Sequence, residues 1–339
     1  MKSLILSAGC LCSMLPLPLA YCSGLLADAA ILAQPPSQPK APPEASPHLR
    51  SRVYTYNIAD GTSHLVFTDD STWEAPNWSP DGKYLILNHS GGIYRLVFQP
   101  DGTAKPQKLP LPAELDCNND KTLSPDGKQL AFSASSPSSP GSEVYLADAD
   151  GSKTRQVTHQ SPSYFHGWSP DKRTLAFVAQ RNGGGQFDIY KVAVSGGAET
   201  QLTANPHHDD GPDYSPDGKW IYINSDRSGK EAVWRLPAQS TGVADQVAEM
   251  VVSDGLEDWF PHISPDGKQM VYIGYPSGTP THNSRELNVT LKLVGITQGK
   301  VEANQKTLLV THGGQGSMNV NSWAPDSMHF AYVSYEALP

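Results

Sequence analysis

The chain has 339 residues, a formal net charge of -9 and 38% hydrophobic residues, with 29 glycines and 29 prolines. An acidic chain has no basic field to set against a phosphate backbone, which excludes nucleic acid as a partner class. The glycine and proline content suits many short strands joined by tight turns and argues against long helices.

Lys2 precedes an apolar run over residues 4–20, broken by Pro16 and Pro18. That is the length of a signal-peptide core and not of a membrane span. Ala27-Asp28-Ala29 offers a small-x-small cleavage site, so residues 1–29 read as a signal peptide. Leu19-Ala20-Tyr21-Cys22 is a looser match to an acylation site, which makes lipid anchoring at Cys22 the alternative. The expected location is periplasmic or secreted, as a monomer with no transmembrane segment left after cleavage. Residues 30–50 are rich in proline and read as an extended linker, leaving residues 51–339 as the folded domain. Cys10, Cys12 and Cys22 lie in the leader, so the mature chain keeps Cys117 alone and forms no internal disulfide. With no base beside it in the sequence, Cys117 is expected to be an inert thiol.

Beyond residue 51 the chain repeats. Ser79-Pro80-Asp81-Gly82-Lys83 recurs with its serine at Ser124, Ser169, Ser215 and Ser264, and in degenerate form as Ala324-Pro325-Asp326-Ser327. Six copies imply six structural units. Proline presets the first corner of a turn, aspartate bonds the local backbone, and glycine takes the left-handed position. A large or apolar residue precedes each copy (Trp78, Leu123, Trp168, Tyr214, Ile263, Trp323), and an apolar strand follows. A third strand and a short fourth one come after, as in residues 187–190 and 200–203. Four antiparallel strands per unit make a propeller blade, so the expected fold is an all-β six-bladed β-propeller. The sixth copy ends two strands short, and residues 52–58 and 64–67 have the form of the missing pair. The N-terminal strands are therefore expected to complete the last blade and close the ring.

The order W-S-P-D-G-K, apolar strand, I-Y and D-G turn resembles the repeat of TolB-like propellers, of the PD40 and WD40-like kind, over residues 52–336. Within that group, Cys117-Asn118-Asn119-Asp120, Asp209-Asp210-Gly211-Pro212, Asp258-Trp259-Phe260-Pro261-His262 and Gly313-Gly314-Gln315-Gly316 resemble the small YidR-type proteins. TolB itself carries an additional N-terminal α/β domain and serves the envelope-spanning Tol-Pal system; here the proline-rich linker stands in that place.

Propeller geometry puts the S-P-D-G turns on one face and the D-to-A and B-to-C connections on the other. Eight of the eleven histidines fall in or beside connections of that second face: His89, His159, His166, His207, His208, His262, His282 and His312. The candidate ligand-binding residues of this rim are Asn118, Asn119, Asp120, His166, Asp209, Asp210, Asp258, Trp259, His262, His282, Gln315 and Asn319. A divalent metal (Mn, Ca or Zn) could be held by His166, His262, His282 and Gln315, as related oligogalacturonate lyases use several histidines and a glutamine. Asp120, Asp209, Asp210 and Asp258, beside Trp73, Trp168 and Trp259, could equally serve a sugar or peptide site, although Trp168 lies on a strand that packs between blades. Two functional readings stand. One is a non-catalytic binding module of the bacterial envelope, with an envelope protein or oligosaccharide as partner. The other is a carbohydrate-active enzyme, a metal-dependent lyase or hydrolase, using the same rim.

Overall fold

A computed structural model describes residues 48–181 and 185–338; the signal peptide, the Cys22 alternative and nearly all of the linker lie outside the described residues. Five four-stranded antiparallel sheets follow one another along the chain, each built in the strand order A-B-C-D. Their first strands, Glu74–Trp78, Asp116–Leu123, Ser163–Trp168, Asp209–Tyr214 and Glu257–Ile263, begin blades 1 to 5. In blade 6, His329–Ala337 is strand B, Leu49–Asn57 strand C and Thr62–Asp69 strand D, while Trp323 bridges Phe330 from the strand A position. The ring thus closes as expected, by pairing of Leu49 through Asn57 with Ala337 through His329.

The S-P-D-G turn works through its side chains. Ser79 Oγ donates to Asp81 Oδ1 at 2.8 Å and accepts the Lys83 and Tyr84 N–H groups, both at 3.1 Å. Gly82 sits at φ 75. Equivalent bonds recur from Ser124, Ser169, Ser215 and Ser264, so each A-to-B hairpin carries its own register lock. The third and sixth copies place Lys172 (φ 63) and Ser327 (φ 58) in the left-handed position.

Apolar faces of neighbouring sheets interlock between blades. Ile86 and Ile93 of blade 1 pack with Leu123, Leu130 and Phe132 of blade 2, and Ala176 and Val178 of blade 3 with Ile221 and Ile223 of blade 4. Each such side chain contributes roughly 1.5–3 kcal/mol through burial. Indoles stitch the inner seam: Trp168 Nε1 donates to Thr122 O at 3.2 Å, and Trp323 Nε1 to His262 O at 3.0 Å, each reaching back to the preceding blade. Trp168 therefore packs, as its strand position implied.

Strand A of each of the first five blades carries a β-bulge just before its repeat turn, between Glu74 and Asn77, Cys117 and Lys121, Phe165 and Gly167, Asp210 and Asp213, and Trp259 and His262. In three blades the bulge includes a left-handed residue, Ala75, Gly211 or Phe260. A bulge bends the strand and re-aims side chains. Here it turns a polar stretch of each innermost strand toward the central channel.

Candidate functional site

The channel holds two polar layers. Nearest the S-P-D-G face, Asn77 Oδ1 accepts the Leu123 N–H at 2.9 Å, Asn77 Nδ2 donates to Asn321 O at 2.8 Å, and Asn321 Nδ2 donates to Asp213 Oδ2 at 2.9 Å. His262 belongs to this layer, with Nδ1 3.5 Å from Asp213 Oδ2 and Nε2 3.4 Å from Met318 O. A cavity of about 430 Å³ opens on this side between the repeat prolines, walled by Trp78, Trp168, Tyr214 and Trp323 and lined at its inner end by Asn77, Asp213, Asn321 and His166.

The second layer lies toward the opposite mouth. His166 Nε2 is 3.4 Å from Asp210 Oδ1 and 3.8 Å from Asp120 Oδ1. Asn319 Nδ2, from blade 6, donates across the channel to Asp120 Oδ1 at 2.6 Å and Asn119 Oδ1 at 3.3 Å. The Phe260 ring of blade 5 stacks on the His166 ring of blade 3 at 6.0 Å. Side chains of blades two apart are thus in contact, so the channel is plugged at this level. His282 caps the plug, with Nε2 3.8 Å from Asp210 Oδ2 and its ring 4.4 Å from Trp259 and 5.3 Å from Phe260. His208 lies 6.3 Å from His282, and its Nδ1 is 3.4 Å from Glu231 Oε1.

Asp210 is the electrostatic centre. Burial would raise its carboxyl, but the bond from His166 and the other two imidazoles hold it well below the usual carboxylate range. Burial opposes the His166 charge, and Asp210 with Asp120 outweighs it, so His166 is raised. His282 answers mainly to burial and is pushed down to about 4, which keeps it neutral. His208 is raised to about 9 because Glu231 overcomes its burial. Burial raises Asp120, against the pull of His166. One ionised and one raised carboxyl therefore share a single imidazole.

Of the twelve expected rim residues, Asn119, Asp120, His166, Asp210, Trp259, His282 and Asn319 meet at this plug. Asn118 shapes the bulge beside it by accepting the Asp120 N–H at 3.0 Å. Asp209 is buried outside the channel, ion-paired with Arg227 at 2.8 Å. Asp258 is fully buried, accepts the Asp254 N–H at 3.3 Å, and is raised to about 7 by burial. The expected metal set does not assemble: His166 and His282 approach Asp210 from two sides, His262 lies in the other layer, and Gln315 contributes its backbone N–H to His282 O at 3.2 Å. Among the described residues, no group of three or more His, Cys, Asp or Glu is arranged to hold a metal ion. Trp73 packs away from the channel, stacked on His89 at 4.5 Å. Cys117 is buried and its thiol is pushed up to about 12, in keeping with an inert residue.

Lys121 was not anticipated. It is fully buried, and its ammonium donates to the carbonyls of Glu74 (3.1 Å), Ala75 and Asn119 (3.4 Å) and to Asn88 Oδ1 (3.2 Å). The signal was present in the repeats. Counted back from each turn serine, Lys121 occupies the position that holds His166 in blade 3 and proline in blades 1, 4 and 5. A polar outlier at an inward position of a repeat marks the channel.

The description "TolB beta propeller domain" matches residues 124–304. Over 287 residues the chain is 40% identical to an uncharacterized protein of Agrobacterium fabrum, covering 85% of this chain and 93% of that one. The Tol-Pal system protein TolB of Francisella tularensis subsp. tularensis is 25% identical over 237 residues, covering 68% of this chain and 53% of its own length. The chain thus spans about half the length of the TolB relatives it matches. Among solved structures, a TolB-type protein from Agrobacterium tumefaciens superimposes with a TM-score of 0.77 at 39% identity, over 86% of this chain and 99% of that one. TolB from Acinetobacter baumannii shares the fold with a TM-score of 0.56 at 20% identity, over 78% of this chain and 64% of its own.

Proposed function

We propose that this chain, which belongs to the TolB β-propeller family, is a binding module of the bacterial envelope that receives its partner at the His- and Asp-rich mouth of the channel. One observation carries this reading. Of the twelve side-chain polar atoms buried without a hydrogen-bond partner among the described residues, four lie together there: His166 Nδ1, His282 Nδ1, Trp259 Nε1 and Asn319 Oδ1. Each such atom costs about 1–3 kcal/mol, and a core under selection for stability alone would replace it. Convergent polar groups beside aromatic rings, here Trp259 and Phe260, are what a ligand site requires. The Tol-Pal relatives supply the setting, and the apolar leader supplies the route to the periplasm.

The test is capture from a periplasmic extract by the wild-type chain and by Asp210→Asn and His166→Ala. A partner identified by mass spectrometry, held by the wild type and released by both variants, supports the module. Retention by both variants places the contact elsewhere and overturns the reading. Turnover of an oligosaccharide panel, abolished by the same variants, replaces it with the enzymatic alternative.

A further inference from the structure

The connection 276–286 joins strands B and C of blade 5, yet it does not stay on blade 5. Through His282 it reaches Asp210 of blade 4, and through Arg285 Nε it bonds Glu74 Oε1 of blade 1 at 2.6 Å. Blades 1 and 4 stand opposite each other in a ring of six. A segment that touches the innermost strands of both must cross the channel mouth.

We infer that this connection is an autoinhibitory lid, latched by Arg285 on Glu74, and that the ligand displacing it presents a guanidinium or ammonium group to Glu74. The inference rests on the preceding reading that the mouth binds a partner, and it names the chemistry and the regulation of that site.

The lid has a prepared seat. A Cβ on Gly314 would overlap the Ser284 carbonyl oxygen, and one on Gly316 would crowd Tyr335 Oη and the Glu74 carboxylate. The Gly313-Gly314-Gln315-Gly316 stretch is therefore glycine-rich where the lid lies on it. The His282 carbonyl is clamped by the Gln315 N–H and by Tyr275 Oη, both at 3.2 Å. His282 itself occupies the site as a ligand would, against Trp259 and Phe260 and beside Asp210.

The closed contact is also incomplete. His282 Nδ1 of the lid and Trp259 Nε1 beneath it are buried without partners. Pro276, Ser277, Gly278, Pro280, Thr281, Asn283 and Arg285 are exposed, so little apolar surface is lost on opening. Glu74 is different, because it is only 8% exposed and its other oxygen has Asn88 Nδ2 alone, at 3.3 Å. Lys121 contacts the Glu74 carbonyl, not its carboxylate. Once Arg285 leaves, the buried carboxylate loses its direct ion pair and keeps only the non-contacting charge of Lys121, and restoring a direct pair is the contribution a basic ligand makes.

Two variants break the same ion pair and are expected to act in opposite directions on binding. Hydrogen exchange over residues 276–287 should quicken in both Arg285→Ala and Glu74→Gln. With the acetylated and amidated tripeptide Ala-Arg-Ala as probe, followed by NMR, Arg285→Ala should bind about two- to fivefold more tightly than wild type, because an exposed latch no longer competes. Glu74→Gln should bind at least about tenfold more weakly, because the cation site is gone. Thermal unfolding of both variants separates local opening from loss of the fold. Unchanged exchange in both variants overturns the lid. Binding that shifts in the same direction in both, or that is equal for Ala-Gln-Ala, overturns the cationic ligand. Faster exchange with no tripeptide bound by any variant leaves the lid standing and overturns the cationic ligand, whereas failure of the capture experiment alone overturns the binding reading.

Discussion

Replacing Lys121 by methionine keeps the length and apolar stem of the side chain and removes only its ammonium. Four oxygen acceptors, from Glu74, Ala75, Asn88 and Asn119, then lose their donor between blades 1 and 2. Leaving buried acceptors without their donor costs about 1–3 kcal/mol. The size of the loss should also depend on pH. Burial lowers the Lys121 ammonium from its ordinary 10.5 to about 7. Between those values the unfolded lysine holds a proton that the folded one has released, so the lysine's contribution rises with pH and is lost as pH falls through about 7. The slope approaches about 1.4 kcal/mol per pH unit. Methionine has no such dependence, and groups common to both proteins cancel in the difference. Urea unfolding of both chains at pH 6, 7.5 and 9 measures it. The gap between them should widen from the lowest pH to the highest. A gap that is flat with pH, or below about 1 kcal/mol throughout, would refute the reasoning, since the ammonium would then be neither strongly desolvated nor needed by its acceptors.

Ser124→Ala removes the hydroxyl that donates to Asp126 at 2.7 Å and accepts the Gln129 N–H at 3.0 Å, and should lower stability by about 1–2 kcal/mol in urea unfolding. Val53, fully buried and paired with Val333 at the ring closure, should cost about 2 kcal/mol when changed to alanine, visible as a lower midpoint of thermal unfolding. Glu231→Gln should lower the His208 titration from about 9, because burial is then opposed only by the charges of Asp210 and Asp226; imidazole NMR shifts report it. The pair's contribution is lost as pH rises through about 9, and it requires an ionised Glu231, whose own carboxyl burial raises to about 7.

The repeat turns make most of the fold legible in the sequence alone. Each S-P-D-G copy is a local device whose serine, aspartate and glycine act within six residues, so its meaning survives without tertiary context. The split sixth blade was readable for the same reason, since an unfinished repeat at one end and a matching pair at the other leave one way to close a ring. Strand ends moved only by a few residues, with strand C of blade 6 beginning at Leu49 and strand D at Thr62.

The channel was legible only in part, and the bulges explain why. An alternating strand lets one count inward and outward faces back from the turn in steps of two. Each bulge adds a residue and breaks that count just where the polar residues begin. His166 stands three residues before its turn serine and His262 two, and they fall in different layers on different aspartates. Arg285 escaped notice because it belongs to a connection of blade 5 whose partner, Glu74, lies 211 positions away in blade 1. No local pattern encodes such a pair. Comparing the six repeats position by position recovers what periodicity misses, because an inward site that holds proline in three blades, lysine in the second and histidine in the third is answering to the channel and not to its own strand.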